Sequence, residues 1–146
     1  MTEKSAQPLR KRLATPSDFR AFAAEFARRL RPGDVVALSG ALGSGKTTFV
    51  DAVVRSLHQT EETSSPTFTF WHRYAGDPPI DHLDFFRVEH SDEIAELGLE
   101  EAFDGRSIVL VEWWRNAASI LPPHRYEIEI EGCGEEARTV TVRRIR

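Results

Sequence analysis

Gly40-Ala41-Leu42-Gly43-Ser44-Gly45-Lys46-Thr47 satisfies G-x-x-x-x-G-K-[ST] at every fixed position. The chemistry open to such a stretch is that of a phosphate chain. Glycines let the backbone turn tightly and direct successive N–H groups inward, so that phosphate oxygens meet donors rather than side chains. Lys46 can set an ammonium between the outer phosphates, and the Thr47 hydroxyl can ligate magnesium. Leu42, Gly43, Ser44, Gly45, Lys46, Thr47 and Thr48 are therefore the candidate nucleotide cradle.

Such a loop needs an acid beside the metal, at the end of an apolar strand. Ile108-Val109-Leu110-Val111-Glu112 offers four apolar residues and then a carboxylate; Ile80-Asp81-His82-Leu83-Asp84 is the less apolar competitor. Glu112 is favoured as the metal-side acid, with Asp84 orienting water or holding an outer-shell ligand. His82 shares a strand face with Asp84 and reads as a hydrogen-bonded structural histidine, with a proton relay as the alternative. The five histidines show no ligand spacing with cysteine, so a zinc site is unsupported. No Asn-Lys-x-Asp guanine reader occurs and Asn116 is the single asparagine, which favours ATP over GTP. Trp113 is expected to pack near the site, and Trp114 to face the other way, exposed.

The elements that must position these groups follow from periodicity. Asp34–Ser39 is a short apolar run of the kind buried on both faces of a parallel sheet, and residues 47–58 after the loop carry Phe49, Val50, Val53, Val54 and Leu57 at helical spacing. Thr15-Pro16-Ser17-Asp18 opens an earlier helix with a cap, a first-turn proline and an acid, and Pro32-Gly33 closes it. Further strands are expected in PTFTFWHRY, IDHLDFFRV and SIVLVEWW, and one or two short acidic helices over residues 91–103. The alternating C-terminal stretch around Gly132-Cys133-Gly134 predicts an antiparallel hairpin. The fold class expected is α/β: one P-loop NTPase domain over residues 15–146, a mainly parallel sheet flanked by helices, ending in that hairpin. Residues 1–14, with Lys4, Arg10, Lys11 and Arg12, read as a flexible basic tail.

Composition narrows the setting. The chain has 146 residues, 40% hydrophobic and 29% charged, which suits one globular domain. A formal charge of −4 argues against a polyanion binder. The single cysteine excludes an intrachain disulfide and fits a reducing, cytoplasmic setting, and no signal peptide or membrane span is legible.

Five segments together resemble one family, TsaE, the bacterial ATPases of tRNA threonylcarbamoyladenosine biosynthesis: GDVVALSGALGSGKTTF (33–49), SPTFT (65–69), HLDFFR (82–87), ELGLEEAF (96–103) and VEWW…LP (111–122). The resemblance implies a magnesium-dependent ATPase, slow alone, that joins the TsaB and TsaD proteins and resets the complex that modifies the adenosine beside the anticodon. It implies that Lys46, Thr47 and Thr48 hold phosphates, that Thr47 and Glu112 hold Mg2+, and that Asp84 and Trp113 are needed for turnover. Ser65-Pro66-Thr67 resembles a nucleotide-sensing switch. Contact with tRNA would be indirect or secondary, given the acidic balance. Ala41 and Phe86 depart from the family pattern, which has an acid and a tyrosine there. Two other readings share the loop: a small P-loop metabolite kinase, and a nucleotide-dependent docking module without turnover.

Overall fold

The fold is described by a computed structural model covering residues 7–58, 70–88, 93, 98–132 and 137–145. Strands β1 (Leu9–Leu13), β2 (Val35–Ser39), β3 (Trp71–Tyr74), β4 (Ile80–Asp84), β5 (Ile108–Glu112), β6 (Arg125–Glu131) and β7 (Arg138–Ile145) form one sheet in the order β1-β7-β6-β2-β5-β4-β3. The central run β6-β2-β5-β4 is parallel. Both flanks are antiparallel: β3 on β4 at one side, β7 and β1 beyond β6 at the other.

Alternation along the central strands divides the core. Val36 and Leu38 of β2, Ile108 and Leu110 of β5 and Ile128 and Ile130 of β6 face helices α1 (Pro16–Ala27) and α2 (Lys46–His58), whose Phe19, Phe26, Phe49, Val50 and Val53 fill that layer. Val35, Ala37, Val109 and Val111 point to the other face, which is covered by Leu99, Trp114 and Ala117 from short 3-10 segments and by Leu121 just beyond the second of them. The Thr15 hydroxyl caps α1 by accepting the Asp18 N–H at 3.0 Å, as the Thr-Pro-Ser-Asp signature predicts. The α/β class, the parallel centre and the C-terminal hairpin match expectation.

One expectation is corrected, and two others are met where the residues are described. The basic tail is a strand over Leu9–Leu13, paired in register with β7 from Leu9↔Val142 to Leu13↔Arg138. Only Leu13 of that strand is buried, so no apolar alternation announced it. Of the strand expected over residues 66–74, Trp71–Tyr74 is found, and residues 66–69 lie outside the described residues. The acidic segment 91–103, where described, is helical at Glu93 and forms a 3-10 helix at Leu99–Glu101, in keeping with the short helices expected. Cys133 and the Ser65-Pro66-Thr67 segment lie outside the described residues.

Candidate functional site

The carboxyl end of β2 runs straight into the glycine-rich loop, and the loop into α2. Phe49 donates the first intrahelical bond, to the Gly45 carbonyl at 2.8 Å. Helix geometry therefore leaves the N–H groups of Lys46, Thr47 and Thr48 without an intrahelical acceptor, at the positive end of the dipole. Two glycines are obligatory here for different reasons. A Cβ on Gly40 would lie 2.4 Å from Ser44 Oγ and 2.8 Å from the Ile130 carbonyl oxygen. Gly45 has φ +108° and packs against the Phe19 ring.

Arg138, at the start of β7, was not singled out from sequence. Its guanidinium donates to the Ser44 carbonyl at 2.6 Å and to the Gly43 carbonyl at 3.3 Å. Because a trans peptide sets C=O and the next N–H on opposite sides, anchoring the Ser44 carbonyl turns the Gly45 N–H away from Arg138. A basic residue next to a glycine-rich turn was the available signal, but the contact spans 94 residues of chain and could not be placed from spacing.

Lys46 is 5% exposed; its ammonium donates to the carbonyls of Gly40 and Ala41 and lies 4.2 Å from the centre of the Trp113 ring. Burial lowers its pKa from the ordinary lysine value, and the carboxylates of Glu112 and Asp84 oppose that shift.

The two candidate acids end neighbouring parallel strands and are register partners, Asp84↔Glu112. Glu112 is 3% exposed. Its carboxylate lies 3.3 and 3.5 Å from Thr47 Oγ1 and accepts from His82 Nε2–H at 2.6 Å. His82 is thus the hydrogen-bonded histidine expected. Asp84 stands beside them, accepting the Phe86 N–H at 3.0 Å. Burial raises its pKa above the usual carboxylate value; the Phe86 N–H opposes this and Glu112 adds to it.

A cavity of about 350 Å³ gathers most of these groups: Leu42, Gly43, Gly45, Lys46, Thr47 and Thr48 from the loop and helix, Asp84 and Glu112 from the sheet, and Trp113 and Arg138 at its rim. Of the expected cradle, only Ser44 turns its side chain inward instead: it is 1% exposed, and its hydroxyl has no hydrogen-bond partner among the described residues. The donor set fits magnesium, which takes hard oxygen ligands and is commonly held by one or two carboxylates together with substrate phosphates. Thr47 Oγ1 and the Glu112 carboxylate supply such oxygens from opposite walls.

Trp113 and Trp114 differ from each other sharply. Trp113 takes the left-handed conformation, φ 57° and ψ 38°, and packs against Phe86 with the ring centres 5.0 Å apart and the planes tilted by 51°. Trp114, expected at the surface, is 7% exposed, with its indole N–H donating to Ser39 Oγ at 2.8 Å.

Residues 13–140 match the family described as "Threonylcarbamoyl adenosine biosynthesis protein TsaE". The tRNA threonylcarbamoyladenosine biosynthesis protein TsaE of Bacillus subtilis (strain 168) is 40% identical over 134 residues, covering 91% of this chain and 84% of that protein. The protein of the same name from Treponema pallidum (strain Nichols) is 35% identical over 115 residues, covering 79% and 85%. The crystal structure of Bacillus subtilis YdiB superposes with a TM-score of 0.80 at 32% identity, covering 99% of this chain and 90% of that one.

Proposed function

The chain belongs to the TsaE family, and from that premise we propose that it is the ATP-binding and ATP-hydrolysing subunit of the machinery that forms threonylcarbamoyladenosine in tRNA. The observation that carries the reading is the approach of the Thr47 hydroxyl to within 3.3–3.5 Å of the buried Glu112 carboxylate, at the mouth of a loop whose lysine is buried beside it. A phosphate cradle and a metal-side acid converge there from elements far apart in sequence.

In this reading the N–H groups of the loop and of the first turn of α2 hold the β- and γ-phosphates, and the Lys46 ammonium exchanges its bonds with Gly40 and Ala41 for phosphate oxygens. Thr47 and Glu112 would hold magnesium, which would supply positive charge against the phosphates. His82, donating to Glu112, fixes that carboxylate toward Thr47. Asp84 orients a water in line with the γ-phosphorus. As the water oxygen bonds to phosphorus, the bridging bond to ADP breaks and the water proton passes to the Asp84 carboxylate. The burial that raises the Asp84 pKa makes it a better proton acceptor. Trp113 closes the site over Lys46.

We further propose that turnover is slow alone, is stimulated by TsaB and TsaD, and resets their complex in the cytoplasm, with tRNA contacted indirectly. Ser65-Pro66-Thr67 is proposed as the segment that reports the nucleotide state. Phosphate release from Mg-ATP, measured with the purified chain alone and with TsaB and TsaD, tests this. Slow release that rises markedly with the partners is expected. Bound ATP with no release in either case would refute it.

A further inference from the structure

A second cavity, also of about 350 Å³, lies behind the phosphate loop. It shares only Lys46 and Trp113 with the cavity that holds the two acids, so these side chains form the wall between them. Its remaining surface comes from the end of β2 and the turn after β5, with Ser39, Gly40, Trp114 and Arg115 the groups that matter.

The polar chemistry of this cavity is one-sided. Ser39 Oγ accepts the Trp114 indole N–H at 2.8 Å and an Arg115 N–H at 2.9 Å. An sp3 hydroxyl oxygen has two lone pairs, so both are committed and the Ser39 O–H is left to donate. Arg115 lies 4.8 Å from the Trp114 ring centre and has no acidic partner among the described residues. A guanidinium has five N–H donors, and one of them is used on Ser39. The Asn116 amide nitrogen is turned to the Phe85 carbonyl at 2.9 Å. No carboxylate lines the cavity among the described residues. A fixed hydroxyl donor and a guanidinium braced on an indole face make a site for a small group that only accepts hydrogen bonds and carries negative charge.

We propose that this cavity is an orthophosphate site on the far side of Lys46 and Trp113, taking the phosphate released by hydrolysis before it leaves the protein. The proposal rests on the hydrolytic reading above. Phosphate cut from the nucleotide would start against Lys46, and the next donors beyond that wall are Ser39 and Arg115. The site is then a product subsite, separate from the positions of the nucleotide's own phosphates.

The test is equilibrium dialysis of radiolabelled orthophosphate against the full chain saturated with magnesium and the non-hydrolysable β,γ-imido analogue of ATP. The analogue fills the phosphate cradle, so bound orthophosphate reports the second cavity. Saturable binding near one phosphate per chain is expected. Arg115→Ala should weaken it at least tenfold, and Ser39→Ala severalfold, while Arg115→Ala leaves the affinity for the analogue unchanged. Arg115→Lys, which keeps the charge and loses the fork, should fall between, and it serves if the alanine variant unfolds. Arg106→Ala, remote and exposed, should bind as the parent does. Analogue binding without saturable phosphate, or phosphate binding indifferent to Arg115 and Ser39, overturns the subsite and leaves the hydrolytic reading standing. Failure of the analogue to bind removes both.

Discussion

Gly40→Ala places one methyl group where the loop leaves the sheet, and its cost can be worked out from two contacts. The new Cβ would stand 2.8 Å from the Ile130 carbonyl oxygen and 2.4 Å from Ser44 Oγ, both below any distance real Cβ atoms adopt. Ser44 can turn aside. Ile130 cannot, because it belongs to β6, which is paired with β7 through Ile130↔Val140. The loop must therefore move off the strand, and Arg138, which holds the Gly43 and Ser44 carbonyls, loses its geometry as it does. Overpacking of one such group costs about 1–3 kcal/mol. Because the loop is at the surface and relieves the clash by shifting, most of that cost should appear in nucleotide binding and little in folding. Expressed as affinity, the range is a loss of roughly 5–150-fold. Calorimetric titration with Mg-ATP, alongside thermal unfolding without nucleotide, measures both parts. Affinity within twofold of the parent, with an unchanged Tm, would refute the claim that this backbone path forms the cradle.

Glu112→Ala should retain ATP binding, since the loop N–H groups and Lys46 remain, but lose magnesium-dependent phosphate release by about a hundredfold or more, the scale of removing one preorganised electrostatic group; parental rates would transfer the metal role to Asp84. Phe49→Ala, which empties a fully buried ring site between Phe19 and Phe26, should cost about 3–5 kcal/mol and lower Tm by roughly 10 °C or more; a shift of a degree or two would mean that the α1–α2 layer is not the core. His72 has its pKa pushed below 6.5 by burial and then by His82, with Asp84 opposing. The unfolded chain accordingly takes up that proton first as pH falls through about 6.5, so this histidine makes stability decline on acidification until the folded state protonates too. Urea unfolding from about pH 7 to about pH 5 should show a shallower decline for His72→Asn, and an identical slope would remove His72 from the pH dependence.

Much of the candidate site's framework was legible because its signals are local. The loop spacing, the apolar run before it and the 3.6-residue period of Phe49, Val50, Val53 and Val54 all sit within two dozen residues of sequence. What escaped was decided across the sheet. Leu9–Leu13 contains three basic residues and exposes four of its five side chains, yet it is a strand because β7 offers it a free edge. Nothing in LRKRL states that. Arg138 escaped for the same reason, since its value lies in a contact with Ser44 on the far side of the chain.

Trp114 failed differently, through a rule applied one residue too far. Alternation along a strand sends successive side chains to opposite faces, and with Trp113 at the site Trp114 should have pointed away into solvent. β5 ends at Glu112, however, and Trp113 takes positive φ, an uncommon conformation for a bulky residue. That one residue reverses the chain so that a 3-10 segment begins at Trp114, and the second indole swings under the sheet onto Val109, Val111 and Leu121 instead of outward. The same reversal delivers the first indole over Lys46 and beside Phe86. Holding a non-glycine residue at φ 57° costs on the order of 1–2 kcal/mol, and the burial of the Trp114 ring, with its N–H satisfied by Ser39, is large enough to offset it. The packing of Trp114 thus keeps Trp113 in its position at the phosphate loop.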